Sequence, residues 1–267
     1  MNDSKEITSF NLKLIAIITM FIDHIGAAIV EQLEVYPEFE DNTFLFMIDT
    51  PLRAIGRLAF PLFVFMIIEG FKYTSSKAKY LGRLAIFALI SEIPFDFAIH
   101  FYEVDGGFPF SLTRQNVYFT LAFGLLGIII IDKISTNYPA KAIEGSKAAH
   151  MNPNLRAVIR AIGIAGTTIV VLLMAKYSAC DYDVAGVLAI IAGYLFRNNY
   201  ISQITAIVLV LTIDNHFEAF AFIDLAFVAF YKGNKGKEVN KWIFYIFYPA
   251  HLLLLALIRT LIINFAA

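Results

Sequence analysis

An aspartate and a histidine stand side by side, Asp23–His24, within the apolar stretch LKLIAIITMFIDHIG at residues 12–26. A charged residue at the centre of a membrane span costs roughly 2.5–3.5 kcal/mol on an insertion scale, so such groups turn toward a protein-lined cavity and carry function. Lys13 precedes His24 by eleven residues. That is about three helical turns, which puts both side chains on one face, about 16 Å apart along the axis. One face therefore presents a cation near its start and an imidazole near mid-membrane. Imidazole is the usual general base. The purely structural alternative is a lysine that snorkels to the interface and a histidine satisfied by a neighbouring helix.

Further ionisable groups fall inside apolar stretches: Arg57, Glu69, Glu92, Asp96, His100, Asp224 and His251. Glu92, Asp96 and His100 are spaced i, i+4, i+8 and form one polar stripe if the helix continues through Pro94. His251 lies in IFYIFYPAHLLLL, with Tyr248 three residues earlier on the same face. A scaffold has no need of so many buried titratable groups, and they predict a wet internal cavity. Two classes of function fit: a transporter with a proton relay of carboxylates and histidines, or an intramembrane enzyme. A metal site is a weak third option, because the stripe lacks a tight histidine pair, and no metal is expected.

The elements that must position these groups follow from composition. The 267 residues are 59% hydrophobic, include 26 Phe and carry only 16% charge, against about 25% in soluble domains. The reading is an all-α, polytopic helical bundle in a lipid bilayer, with residues 1–267 as one transmembrane domain. A net charge of −1 implies no nucleic-acid partner, and the single cysteine, Cys180, permits no internal disulfide. The polar start and the long first apolar run, without a small-residue cleavage site, predict a retained span.

Spans of roughly 20 apolar residues are expected at about 11–33, 57–72, 80–102, 115–132, 157–177, 183–197, 200–214, 217–231 and 242–263, about nine in all. An interfacial or re-entrant piece is expected at 43–56, after an acidic loop that includes Glu34, Glu38, Glu40 and Asp41. With the N-terminus inside, 16 of the 21 Lys and Arg residues, among them Lys5, Lys141 and Lys147, fall in cytoplasmic segments. The positive-inside rule then puts the C-terminus outside.

Five stretches carry a resemblance: LKLIAIITMFIDHIG (12–26), RAIGRLAFPLFVFMIIEGFKYT (53–74), KYLGRLAIFALISEIPFD (79–96), NVYFTLAFG (116–124) and KWIFYIFYPAHLLLLALI (241–258). In these residues and their order the sequence resembles the TraX family of bacterial membrane proteins. The middle, about 133–235, matches loosely, for instance at YSACDYDVAGVL. The resemblance implies a place in the bacterial cytoplasmic membrane and a link to N-terminal acetylation of conjugative pilin. The family also looks like a relative of the acyltransferase-3 group, in which an arginine, ten residues and a histidine occupy the first span. Here Lys13 and His24 fill that spacing, and lysine binds phosphate without arginine's bidentate fork.

Acetyl-CoA is then the expected donor, with Lys13, Lys72, Lys79 and Arg83 at the inner face for its phosphates and His24 as the base. The acceptor, a peptide N-terminus, glycan or lipid, and possibly a pilin, would arrive from the outer side. Asp23 cannot orient His24 directly, because adjacent helix positions point about 100° apart. A carboxylate from another span, Glu69 or Glu92, is the expected partner. His251 would orient the acceptor or share the proton. Arg57 would stabilise the oxyanion, or else form a structural salt bridge with Asp23 or Asp49. Reporter domains fused after Lys237 and after Ala267 are expected to report opposite faces of the membrane, and a cytoplasmic C-terminus would overturn this arrangement.

Overall fold

The computed structural model describes residues 6–39, 42–100, 113–139 and 150–266. Lys5, Glu40, Asp41, Lys141 and Lys147 lie outside the described residues. The described chain is helical. Its only β pairings are two isolated bridges, Ile7 with Tyr231 and Gln115 with Cys180.

The helices are α1 Ser9–Ile25, α2 Glu31–Leu33, α3 Thr43–Gly56, α4 Ala59–Tyr73, α5 Lys77–Ile99, α6 Val117–Asn137, α7 Pro153–Ser178, α8 Asp183–Leu195, α9 Tyr200–Asp214, α10 Asp224–Ala229 and α11 Lys241–Ala266. Short polar side chains start most of them. Thr8 and Asn11 close a capping box on α1, and Asn42, Ser76, Asn116, Asn152 and Asn199 cap α3, α5, α6, α7 and α9. Each cap satisfies amide groups that the first turn leaves without a carbonyl.

Among the described residues, five helical stretches are long and apolar enough to cross a membrane: Ser9–Leu33, Thr43–Tyr73, Val117–Asn137, Pro153–Ser178 and Lys241–Phe265. Helix α5 has 23 residues but carries Lys77, Lys79, Arg83, Glu92 and Asp96. Helices α8 and α9 are shorter apolar helices of 13 and 15 residues. The segment expected as an interfacial or re-entrant piece is α3, which runs on into α4 after a short break at Arg57–Leu58. The eighth expected span is built differently as well: a 3₁₀ segment, His216–Ile223, followed by the six residues of α10. Runs of 3₁₀ helix longer than three or four residues are uncommon and often mark functional positions.

Helix α1 packs on α3, α4 and α11; α5 lies on α11 and α6; and α8 joins α6 to α9. Apolar side chains from α1, α4, α5, α6, α8, α9 and α11 form one core, which includes Leu12, Phe65, Leu125, Ile190, Ile207 and Leu252. Helix α7 is almost wholly uncovered along its apolar length, as suits a helix that faces lipid. The two ends of the bundle are distinguishable. At one, Ser9 and Phe10 donate backbone hydrogen bonds to the carbonyls of Asn234 and Lys235, at 2.8 and 3.1 Å. The connections 179–182 and 214–215 line a cavity at the other end together with residues 113–115.

Just beyond His24, α1 widens into a π segment, Gly26–Val30. Such insertions disturb the helical ladder and recur at functional sites. The buried Arg259 of α11 donates to the carbonyl of Ala28 inside that segment, and to those of Phe97 and Ala98 at the end of α5. One guanidinium thus ties three elements together.

Close approach at Gly56 sets α3 against α1: a Cβ there would meet the Asp23 carboxylate, with nothing but side-chain and helix displacement to relieve it. A Cβ at Gly82 meets nothing within 4 Å. Gly56→Ala is therefore expected to destabilise the fold by about 1–3 kcal/mol, the usual cost of overpacking. Gly82→Ala should be neutral or stabilising by about 0.5–1 kcal/mol through helix propensity. Unfolding of both variants in detergent checks the contrast.

Candidate functional site

The Asp23–His24 pair splits between two networks, as side chains about 100° apart on a helix must. Asp23 turns to α3. Its Oδ2 accepts from Arg53 Nη1 at 2.7 Å and its Oδ1 from Arg57 Nη2 at 2.9 Å. Arg53 and Arg57 are one turn apart, so both reach the same carboxylate. Arg57 also donates from Nη1 to Glu218 Oε1 at 2.8 Å and from Nε to the carbonyl of Arg53 at 3.2 Å. Arg53 Nε reaches Glu31 Oε1 at 3.0 Å. Of the two alternatives for Arg57, the ion pair is with Asp23 and not Asp49, and it stands on the cavity wall.

His24 turns to α11. Its Nδ1 lies 2.6 Å from His251 Nε2. The ring planes are within 10° of parallel and the centroids are 4.9 Å apart, the separation expected when the two nitrogens meet in line. The contact is therefore an in-plane hydrogen bond between coplanar rings. His251 Nδ1 lies 2.8 Å from the carbonyl oxygen of Phe247. A carbonyl only accepts, so His251 carries its proton on Nδ1. The Nε2 of neutral His251 is then bare and accepts the Nδ1 proton of His24. His24 is left with a lone pair on Nε2. Tyr248 sits edge-on to both imidazoles, at 5.9 and 5.7 Å.

The partner of His24 is thus an imidazole, and the expected carboxylate partners lie elsewhere. Glu69 accepts from the Tyr231 hydroxyl at 3.2 Å, toward the N-terminal end of the bundle. Glu92 accepts from the side-chain and backbone amides of Asn116. The helix does continue through Pro94, and Glu92, Asp96 and His100 are all buried. Only His100 of the three lines the cavity.

The cavity has a volume of about 580 Å³, and its wall includes Asp23, His24, Arg53, Arg57, His100 and Glu218. Its rim is a strained loop. Ala179, Tyr182 and Asp183 have φ of 50°, 61° and 37°, left-handed conformations that cost roughly 1–2 kcal/mol each without glycine. Hydrogen bonds from Gln115 N to the Ala179 carbonyl at 3.0 Å and from Asp181 N to the Gln115 carbonyl at 2.8 Å hold it in place. The Tyr182 ring stacks on Phe60 at 3.7 Å. Strain of this kind gathers at functional sites. The loop falls in YSACDYDVAGVL, a stretch whose spacing alone assigns no role.

The four cations expected to hold phosphates occupy the other end. Lys13 Nζ lies 5.4 Å over the Phe244 ring, Lys72 packs on Tyr73 and Tyr200, and Arg83 lies over Tyr80. Lys79 is exposed in the first turn of α5.

A family model described as TraX protein matches residues 9–259. The chain belongs to the TraX family. It is also 30% identical, over 96% of its own length and 97% of the relative's, to a protein of Dichelobacter nodosus described as a probable fimbrial assembly protein, FimC, of serogroup H1. No solved structure matches. The match takes in α1 through most of α11, so the histidine pair, the Asp23 cluster and the strained loop of this TraX family member all fall within it.

Sequence reasoning did not reach Arg53, Glu31 and Glu218 as members of the site. The i, i+4 repeat of Arg53 and Arg57 was a usable signal, whereas Glu218 had none, because only packing brings the 3₁₀ segment to α3. Asp23→Ala leaves two guanidiniums with a partner missing and is expected to destabilise by about 3 kcal/mol or more. Arg53→Gln should cost less, because Arg57 still pairs with Asp23 and the Arg53 side chain is more exposed, 25% against 12%. Unfolding midpoints of both variants in detergent test the order.

Proposed function

We propose that the chain is an integral membrane acetyltransferase that moves an acetyl group from cytoplasmic acetyl-CoA to an acceptor reached from the outer side. The observation that carries this reading is the series of close contacts from the Phe247 carbonyl through His251 to His24. The proton order that these contacts set leaves an imidazole lone pair beside a charged cavity. A base so oriented is what acyl transfer to an amine or hydroxyl requires.

When bound, acetyl-CoA supplies an activated thioester. The residues present suit it: Lys13, Lys72, Lys79 and Arg83 at one end offer cations for its phosphates. His24 lies about 16 Å further along the same helix face as Lys13, a distance a pantetheine arm covers. In this reading His24 Nε2 takes the acceptor's proton, and His251 fixes the tautomer by accepting from Nδ1. Arg57, held by Asp23 and Glu218, keeps a positive charge at the wall for the developing oxyanion. The inner-membrane location, with the N-terminus inside, is part of the proposal, as is kinship with the acyltransferase-3 group. The name of the fimbrial assembly relative favours a pilin or other peptide amine as acceptor.

The test is kcat and KM for acetyl transfer in liposomes. His24→Ala is expected to lower kcat by about 10²–10⁴-fold, the usual worth of a positioned base, with acetyl-CoA binding intact. His251→Phe removes the acceptor of the Nδ1 proton and should fall toward the same level. Lys13→Glu should raise KM for acetyl-CoA with a smaller effect on kcat, and Lys13→Arg should be tolerated. A near-native kcat for His24→Ala would make the histidine structural and end this mechanism.

A further inference from the structure

A second line of buried polar groups runs from the cavity to the opposite end of the bundle, and beyond its first member the acyl-transfer chemistry does not use it. It begins at Glu218, whose Oε1 pairs with Arg57 and whose Oε2 is buried with no hydrogen-bond partner among the described residues. In a 3₁₀ helix every third residue falls in register. Glu218, Ala221 and Asp224 accordingly share the buried face, with Asp224 about 12 Å further along.

Asp224 is fully buried, and neither of its carboxylate oxygens has a hydrogen-bond partner among the described residues. Gln203 of α9 is also fully buried, with neither its amide oxygen nor its nitrogen bonded among the described residues. Counted from the turn at Asn215, Gln203 and Asp224 each lie about 18 Å down their respective helices, so they sit at one level of two packed elements.

The same buried face continues to Tyr231, which donates to Glu69 Oε2 at 3.2 Å. Glu69 Oε1 is buried with no hydrogen-bond partner among the described residues, and the exposed Lys72 ammonium pairs with it at 4.0 Å at the bundle end. Apolar residues would fill these positions without the penalty of an unbonded buried polar group. Groups of this kind, lined up along a bundle, are satisfied by water and mark ion or proton pathways.

We propose that Glu218, Asp224, Gln203, Tyr231 and Glu69 form a hydrated proton path between the histidine cavity and the opposite end of the bundle, with Asp224 as the carrier at its middle. The Arg57 guanidinium on Glu218 is a fixed positive charge at the cavity mouth, and such a charge holds protons off a pore. The path therefore conducts when that ion pair opens. Its use rests on the acetyltransferase reading. An amine acceptor arrives as an ammonium. As the nitrogen–carbonyl bond forms and the carbon–sulfur bond breaks, one proton goes to the departing thiolate and one is left over. The path drains the proton left over in the cavity.

The experiment uses full-length protein in liposomes containing a pH-sensitive dye, with the membrane potential clamped by potassium and valinomycin and no acetyl-CoA present. Its outcome is thus independent of whether transfer occurs. After a pH step, Arg57→Gln vesicles are expected to equilibrate about tenfold faster than protein-free vesicles, as removal of a like charge from a mouth allows. Adding Asp224→Asn in that background should return the rate to the protein-free level, and Asp224→Glu should retain it. Gln203→Leu interrupts the path from α9 and replaces Asp224→Asn if that variant elutes as aggregate. Arg57→Gln vesicles no faster than protein-free ones, or a double variant as fast as Arg57→Gln alone, would overturn the proposal.

Discussion

A carboxylate on the first span cannot stay charged inside a helical bundle without partners, and the arrangement around Asp23 answers that constraint. Two guanidiniums one turn apart on α3 converge on it. Each guanidinium then needs its own second anion, Glu31 for Arg53 and Glu218 for Arg57. The requirement spreads outward, drawing the 3₁₀ segment against α3. It is also accommodated by Gly56, whose lack of a side chain lets α3 approach the carboxylate. A buried ion pair of this kind contributes little net stability compared with an apolar contact. What it gives is a fixed register between α1, α3 and the 3₁₀ segment, and a charged wall facing His24.

With Asp23 engaged by α3, His24 is oriented by α11. The imidazole–imidazole bond has a direction because it ends on a backbone carbonyl, a group that cannot donate. The local structure protects this geometry from both sides. The π segment begins two residues after His24, and Arg259, one further stretch along α11 from His251, holds a carbonyl within it. Helices α1 and α11, distant in sequence, are thereby fixed at the height where their histidines meet. The proposed catalytic base and the proposed proton path lie on different sides of the same cavity, joined through Arg57 and Glu218.

The sequence by itself determined the all-helical membrane architecture, because apolar runs and low charge leave no other way to satisfy the backbone in lipid. It also marked out His24, His251, Asp23 and Arg57 as buried polar groups, since each is costly in its apolar setting wherever the helices pack, and the motifs around them carried the family. The separation of Asp23 from His24 was legible too, because it is set by helical geometry within one element. What only the tertiary structure decided was partnership. Helical spacing relates residues on one helix but says nothing of which face meets which neighbour. The partner of His24 is accordingly His251, 227 residues away, where local reasoning favoured Glu69 or Glu92. Glu218 and the strained Ala179–Asp183 loop enter the site through packing and through backbone pairing with Gln115, neither of which leaves a periodic signal. The segment at 43–56 reads as separate by its polar residues, yet it joins α4 because Asp49, Arg53 and Arg57 turn toward α1 and its neighbours instead of toward a membrane surface.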